Sequence, residues 1–184
     1  MTRTTIHKAT PRIETERLVL RVPEMDDAPA IFERYSSDEE VTRLLGWPRH
    51  RKLGDAKAFC AWSISEWARW AAGPYLICDH DGDVLGSSGF GFESARCAAT
   101  GYVLAKDAWG RGLATETLEQ MVKIAGEVGL VRLYALCHPD NPASYRVLEK
   151  CDFEREGLLR RYMELPNLEP GKLSDVLCYS RIYD

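Results

Sequence analysis

The stretch Trp109-Gly110-Arg111-Gly112-Leu113-Ala114-Thr115-Glu116 lies between two segments of different pattern. Before it, Gly101-Tyr102-Val103-Leu104 reads as a buried strand ending at Ala105-Lys106-Asp107. After it, Leu113, Ala114, Leu118, Met121, Val122, Ala125 and Val128 recur at helical spacing. Two glycines therefore stand at a strand-to-helix junction. A helix start leaves backbone N–H groups without intrahelical partners, the helix dipole adds partial positive charge, and glycine lets the chain turn tightly while a phosphate approaches. The stretch points to a phosphorylated ligand, although a glycine-bearing turn without any ligand accounts for a lone Gly-x-Gly equally well. Two phosphate loops are excluded. A dinucleotide fingerprint needs a third glycine and a place near the first strand, and a P-loop needs Gly-Lys-Ser/Thr; the chain has neither here.

Working outward, the pattern predicts a strand at Leu18 to Val22, a turn at Pro23 to Asp27 opening a helix through Tyr35, and a second helical stretch from Asp38 to Leu45. A long helix from Gly54 or Asp55 to Ala72 ends at the stop signal Gly73-Pro74. Tyr75 to Cys78 and Val84 to Phe92 form a hairpin about Asp79-His80-Asp81-Gly82-Asp83. Then come a strand (Cys97 to Leu104), a helix (Gly112 to Val128), a strand (Arg132 to Cys137), a helix (Pro142 to Lys150) and two closing strands. Antiparallel strands followed by one strand–helix–strand unit predict an α+β fold, a mostly antiparallel sheet flanked by helices.

A chain of 184 residues, 45% apolar, fills one domain core and not two. Met1 to Arg12 is polar and reads as a flexible tail, leaving one domain over 13–184. The formal charge of −4 gives no pull toward nucleic acid or anionic membranes, so an anionic cofactor must be held by local dipoles. Six cysteines without Cys-x-x-Cys spacing, mostly inside apolar runs, read as reduced core thiols of a cytoplasmic protein. No apolar run reaches the roughly 18 residues that span a bilayer, and four histidines offer no metal-ligand spacing.

Trp109 to Ala114 resembles the Gln/Arg-x-x-Gly-x-Gly/Ala pyrophosphate loop of the GNAT acyl-CoA-dependent N-acetyltransferases, with Trp109 at the Gln/Arg position, as in their RimJ/RimL-like branch. Asn141-Pro142-Ala143-Ser144 and Leu148-Glu149-Lys150-Cys151-Asp152-Phe153 resemble that family's Asn-x-x-Ser helix and closing Gly-Phe, Asp152 standing where glycine is usual. The resemblance covers nearly the whole chain and implies a mixed sheet splayed where its two central strands part, with acetyl-CoA in the splay as acyl donor. The main chain at Val103 and Leu104 would bond the pantetheine. The amides of Gly110, Arg111, Gly112, Leu113, Ala114 and Thr115 would receive the pyrophosphate, with Arg111 adding a charge-assisted contact or standing free as a surface cation.

Asn141 before Pro142 is in any case a helix N-cap, and the resemblance sets it facing the pantetheine or thiol. Many relatives carry an acid tyrosine at the position of Leu148. RimL-like members place a hydroxyl at Ser144, which therefore takes the acid role, with Tyr145 as its neighbouring alternative. The resemblance puts the base at Glu164; Glu93 stands behind it, and His138, at a strand end near the splay, reads either as a proton relay or as a surface histidine in a turn; Glu116 reads as structural. Phe59, Trp62, Trp67 and Trp70 share an arc of the long helix and are expected mostly in the core, with Trp47 and one of them walling an amine site. The implied activity is acetyl transfer to a primary amine, either a peptide N-terminus or a small molecule. A non-catalytic acyl-CoA-binding module is the other reading, and a homodimer stays open.

Overall fold

The structure, a computed structural model, describes residues 7–184. Eight strands make one sheet in the order β1-β2-β3-β4-β5-β6-β8-β7. They are β1 (Arg12–Glu14), β2 (Val19–Arg21), β3 (Tyr75–Cys78), β4 (Val84–Ser94), β5 (Cys97–Leu104), β6 (Arg132–Cys137), β7 (Glu154–Glu164) and β8 (Leu173–Ile182). Every neighbouring pair is antiparallel except β5 and β6. That parallel pair joins only Cys97–Ala99 to Arg132–Tyr134; beyond this rung β5 runs on to Leu104 and β6 to Cys137 without pairing with each other. This is the splay, at the centre of the sheet.

Period-two alternation along β5 sets its two faces. Ala98 and Leu104 join Tyr75, Ile77, Phe90 and Leu133 against α4 (Leu113–Glu127) and α5 (Pro142–Lys150), whose Leu118, Met121 and Leu148 are buried there. Val103, on the opposite face, joins Val19, Leu76, Cys78 and Val84 against α1 (Ala28–Ile31), α2 (Glu39–Thr42) and α3 (Leu53–Arg69). Helices thus cover both faces, and the parting strands open between them.

The helix expected through Tyr35 is broken into shorter turns: a 3₁₀ turn at Met25–Asp27, one α-helical turn, then a π-helical turn at Phe32–Ser36. The long helix stops at Arg69, earlier than Ala72, because Trp70 turns to an extended backbone and stacks on Phe92 with ring centroids 5.1 Å apart. β1 begins at Arg12, the last residue of the expected tail. Ala9 is buried, its N–H donating to the Ala71 carbonyl at 2.7 Å, and the Thr10 carbonyl accepts from the Tyr75 hydroxyl at 2.8 Å. The expected tail over residues 1–12 is therefore fastened from Ala9 onward; residues 1–6 lie outside the described ones. Among the described residues no helix is long and apolar enough to cross a membrane, and no group of His, Cys, Asp and Glu is placed to hold a metal ion.

Candidate active site

Helix α4 begins without the side-chain cap found at α2 and α5. Asp38 accepts from the Glu40 and Val41 amides at α2, and Asn141 accepts from the Ser144 amide at α5. The N-cap of α4 is Gly112, in the left-handed region at φ +77°, and no side chain caps it. The first helical bond returns from the Glu116 amide to the Gly112 carbonyl at 3.2 Å, so the Leu113, Ala114 and Thr115 amides have no partner from within the helix. Gly110 is also left-handed, at φ +72°. A Cβ at Gly110 would meet nothing within 4 Å, and one at Gly112 only the Arg17 guanidinium at 3.6 Å. Protein packing therefore does not demand glycine at these positions. What demands it is the left-handed backbone, and the result is a bare, exposed cradle of amides.

A long-range clamp that the sequence did not show fixes this cradle. Arg17 donates to the Arg111 carbonyl and to Glu116 Oε2, both at 2.7 Å, and the Thr15 hydroxyl and Arg17 amide donate to Glu116 Oε1 at 2.5 and 3.0 Å. Partial burial opposes ionisation of Glu116, but these donors outweigh it and hold its carboxyl below the usual range. Glu116 therefore ties the β1–β2 turn to the first turn of α4, and its negative charge is spent inside the protein. Arg111 is exposed, its side chain free to reach an anion.

The side chains of Val103 and Leu104 are buried, so only main chain there faces the slot between β5 and β6. The Leu104 carbonyl is already taken, accepting from the Trp109 indole N–H at 2.8 Å. Trp109 thus locks the end of β5 to the glycine loop.

Across the slot, Asn141 caps α5 as expected, its side-chain oxygen accepting from the Ser144 amide at 3.1 Å. The Ser144 hydroxyl lies 3.2 Å from the Tyr102 hydroxyl, which also donates to the Ser144 carbonyl at 2.8 Å. Burial pushes the Tyr102 hydroxyl pKa up, so it remains a donor at neutral pH. Tyr102 is a site residue that sequence reading missed; the alternation of β5, which sends 98, 100, 102 and 104 to one face, was the available signal. Leu148 is core, and Tyr145 packs partly against the same cluster. His138 accepts from the Asp140 amide at 3.2 Å, a turn contact at the end of β6.

Glu164 lies opposite Leu173 of β8. It ends β7 on the outermost strand, where Oε1 accepts from the Gly171 amide at 2.8 Å and closes the β7–β8 connection. The aromatic arc divides: Trp67 is buried and donates to the Pro74 carbonyl at 2.7 Å, whereas Trp62 is 46% exposed. Trp47 meets His50 at 5.4 Å, and its carbonyl accepts from the Asn167 amide nitrogen at 2.8 Å. All six cysteines are free thiols, five of them buried.

Residues 17–154 match the family model described as the acetyltransferase (GNAT) domain. The uncharacterized N-acetyltransferase YoaA of Bacillus subtilis is 34% identical over 161 residues, covering 83% of this chain and 88% of its own. The uncharacterized N-acetyltransferase p20 of Bacillus licheniformis is 30% identical over 171 residues, covering 90% and 93%. Among solved structures, RimL, a ribosomal L7/L12 alpha-N-protein acetyltransferase in complex with coenzyme A, superposes with a TM-score of 0.81 at 24% identity over 94% of this chain and 98% of its own. Microcin C7 self immunity acetyltransferase MccE, solved with acetyl-CoA and AMP, gives 0.81 at 21% identity over 92% and 94%. The uncapped glycine cradle, the parted central strands and these matches lead to one conclusion: the chain belongs to the GNAT family and is an acetyl-CoA-dependent acetyltransferase.

Proposed function

We propose that this protein moves the acetyl group of acetyl-CoA directly to a primary amine, either a peptide N-terminus or a small molecule, in a ternary complex in the cytoplasm. The observation that carries the reading is the uncapped, exposed start of α4 beside the parted strands, with the Ser144 hydroxyl on the other side of the slot. The amides of Leu113 to Thr115, with Arg111, suit a pyrophosphate. Acetyl-CoA supplies the activated acetyl group as a thioester. Ser144 gives a proton to the departing thiolate, and the Tyr102 hydroxyl holds the serine in place. RimL-type neighbours, one of which is described as modifying the N-terminal serine of a ribosomal protein, favour a peptide acceptor, and MccE, solved with AMP, keeps a small molecule in view.

A thiol-release assay with acetyl-CoA against N-terminal peptides, polyamines, aminoglycosides and amino acids tests the reading. Release of free CoA in step with one acetylated amine is the expected result. Tight CoA binding with no thiol release from any class would overturn it.

A further inference from the structure

Amine acetylation needs a group that accepts a proton, because a primary amine is mostly ammonium at neutral pH and only the neutral form attacks. Glu93 belongs to β4 and Tyr134 to β6, with β5 between them. Their side chains nevertheless meet: the Tyr134 hydroxyl donates to Glu93 Oε1, and the Cys97 thiol reaches Oε2 at 3.6 Å. The carboxylate therefore lies over β5 in the span Cys97–Ala99. Ala99 pairs with Tyr134 in the last rung before the strands part. By alternation from Val103, this is the face that carries α1 to α3, opposite to the face of Tyr102 and α5.

The ground beside the carboxylate is open. On this face Ala99 has Gly91 across from it on β4 and Gly101 two residues along β5, and a Cβ on either glycine would meet nothing within 4 Å. Both glycines are exposed. A small acceptor head can therefore rest on bare backbone at the mouth of the splay, with one carboxylate at its edge.

We propose that Glu93, oriented by Tyr134, receives the acceptor ammonium at this spot and takes its proton. This inference rests on the acetyltransfer reading above and adds the base and the side of approach. In balanced form, R–NH₃⁺ passes one proton to the Glu93 carboxylate, which releases it to solvent. The neutral nitrogen then forms the C–N bond while the C–S bond breaks. The second nitrogen proton, lost as the amide forms, goes to solvent, and Ser144 gives its hydroxyl proton to the thiolate and takes one back from solvent, so that the amide, the free CoA thiol and one net proton are the products.

Among the described residues no cation pairs with Glu93, unlike its neighbour on this face. Glu156 of β7, the next carboxylate on this face, is bound through both oxygens to Arg132 at 2.6 Å, and with the Ser180 hydroxyl this holds its carboxyl down at about 2. Glu164, at the end of β7, accepts from the Gly171 amide through Oε1. Arg132 passes 5.7 Å from the centre of the Tyr134 ring but spends its hydrogen bonds on Glu156. Burial, then the neighbouring Glu93, push the Tyr134 hydroxyl up, with Tyr162 of β7 adding to this, and burial likewise raises the Cys97 thiol; both stay neutral donors to the carboxylate.

The test is kcat/KM against pH from 6 to 10 for the wild type, Glu93→Gln and Tyr134→Phe. The acceptors are a serine-leading peptide and spermidine, and each variant's thermal midpoint confirms folding. Glu93→Gln is expected to lose roughly 10²-fold at pH 7 and to regain about tenfold per pH unit as free amine accumulates. Tyr134→Phe, which leaves the carboxylate in place but removes the hydroxyl that orients it, is expected to lose less than Glu93→Gln and to keep the wild-type dependence on pH. A Glu93→Gln profile parallel to wild type would overturn the base assignment and leave acetyl transfer standing. A wild type inactive toward every amine class of the thiol-release panel would instead overturn the parent reading, and this inference with it.

Discussion

Ser144 meets two different demands: its amide is capped by Asn141, while its hydroxyl faces Tyr102. If the hydroxyl protonates the thiolate, Ser144→Ala lowers kcat by roughly 10²-fold while acetyl-CoA affinity holds, because the phosphates are bound at α4. The loss shrinks with an acyl donor whose thiol has a lower pKa, since a better leaving group needs less protonation; equal losses for both donors would make the serine a positioning residue only. Tyr102→Phe keeps the ring and removes the hydroxyl, so its kcat loss is smaller than that of Ser144→Ala in the same steady-state assay. A second residue-scale case is Asp152. The family's glycine is replaced here, yet the left-handed turn persists at φ +58°, with Arg181 donating to the Cys151 carbonyl at 2.9 Å and to the Asp152 carboxylate at 3.2 Å. Asp152→Gly relieves backbone strain of about 1 kcal/mol at most and is expected to raise the thermal midpoint by a degree or more. A lowered midpoint in a thermal melt would mean that the Arg181 contact outweighs the strain.

At the scale of elements, local signals were readable and cross-sheet ones were not. The α4 stripe, the Gly110–Gly112 turn and the Asn141-Pro142 cap are each written within a few residues, and all three stand where the sequence placed them. β1 has only three residues and no alternation long enough to read; it exists because Arg12–Glu14 pairs with Val19–Arg21. The Arg17–Glu116 clamp joins positions 99 apart, and no spacing rule reaches that far. The Glu164–Gly171 contact is out of reach for the same reason, since position along a strand does not say which connection a carboxylate touches. The clamp has a consequence at its own scale. Arg17→Ala frees Glu116 beside the amide cradle, so CoA affinity falls severalfold through a nearby unneutralised carboxylate, and Glu116→Gln in the same background restores part of it. Calorimetric titration with CoA reads both effects.

For the whole molecule, acid is the condition that loosens the fold. Glu156 is held near 2 by Arg132 and Ser180, and, against the cost of partial burial, Asp27 is lowered by Arg21 and Glu116 by the Thr15 hydroxyl and Arg17. A carboxyl whose folded pKa lies below its unfolded value stabilises above the unfolded value, and that stability drains away as pH falls through the folded one. For Glu156 the window runs from its ordinary 4.5 down to about 2. Chemical denaturation across this range is expected to show falling stability in the wild type and a flatter slope in Glu156→Gln. An unchanged slope would remove Glu156 from the acid response.

The sheet that these pairs hold together exists, in functional terms, to keep β5 and β6 apart beside the bare start of α4. The most direct measurement of that claim is CoA binding by calorimetry to the wild type and to Gly112→Val, a substitution that puts a β-branched side chain on a left-handed residue and into the amide cradle. A folded Gly112→Val variant that binds CoA roughly a hundredfold more weakly, or worse, is the predicted result. Wild-type affinity in that folded variant would contradict it.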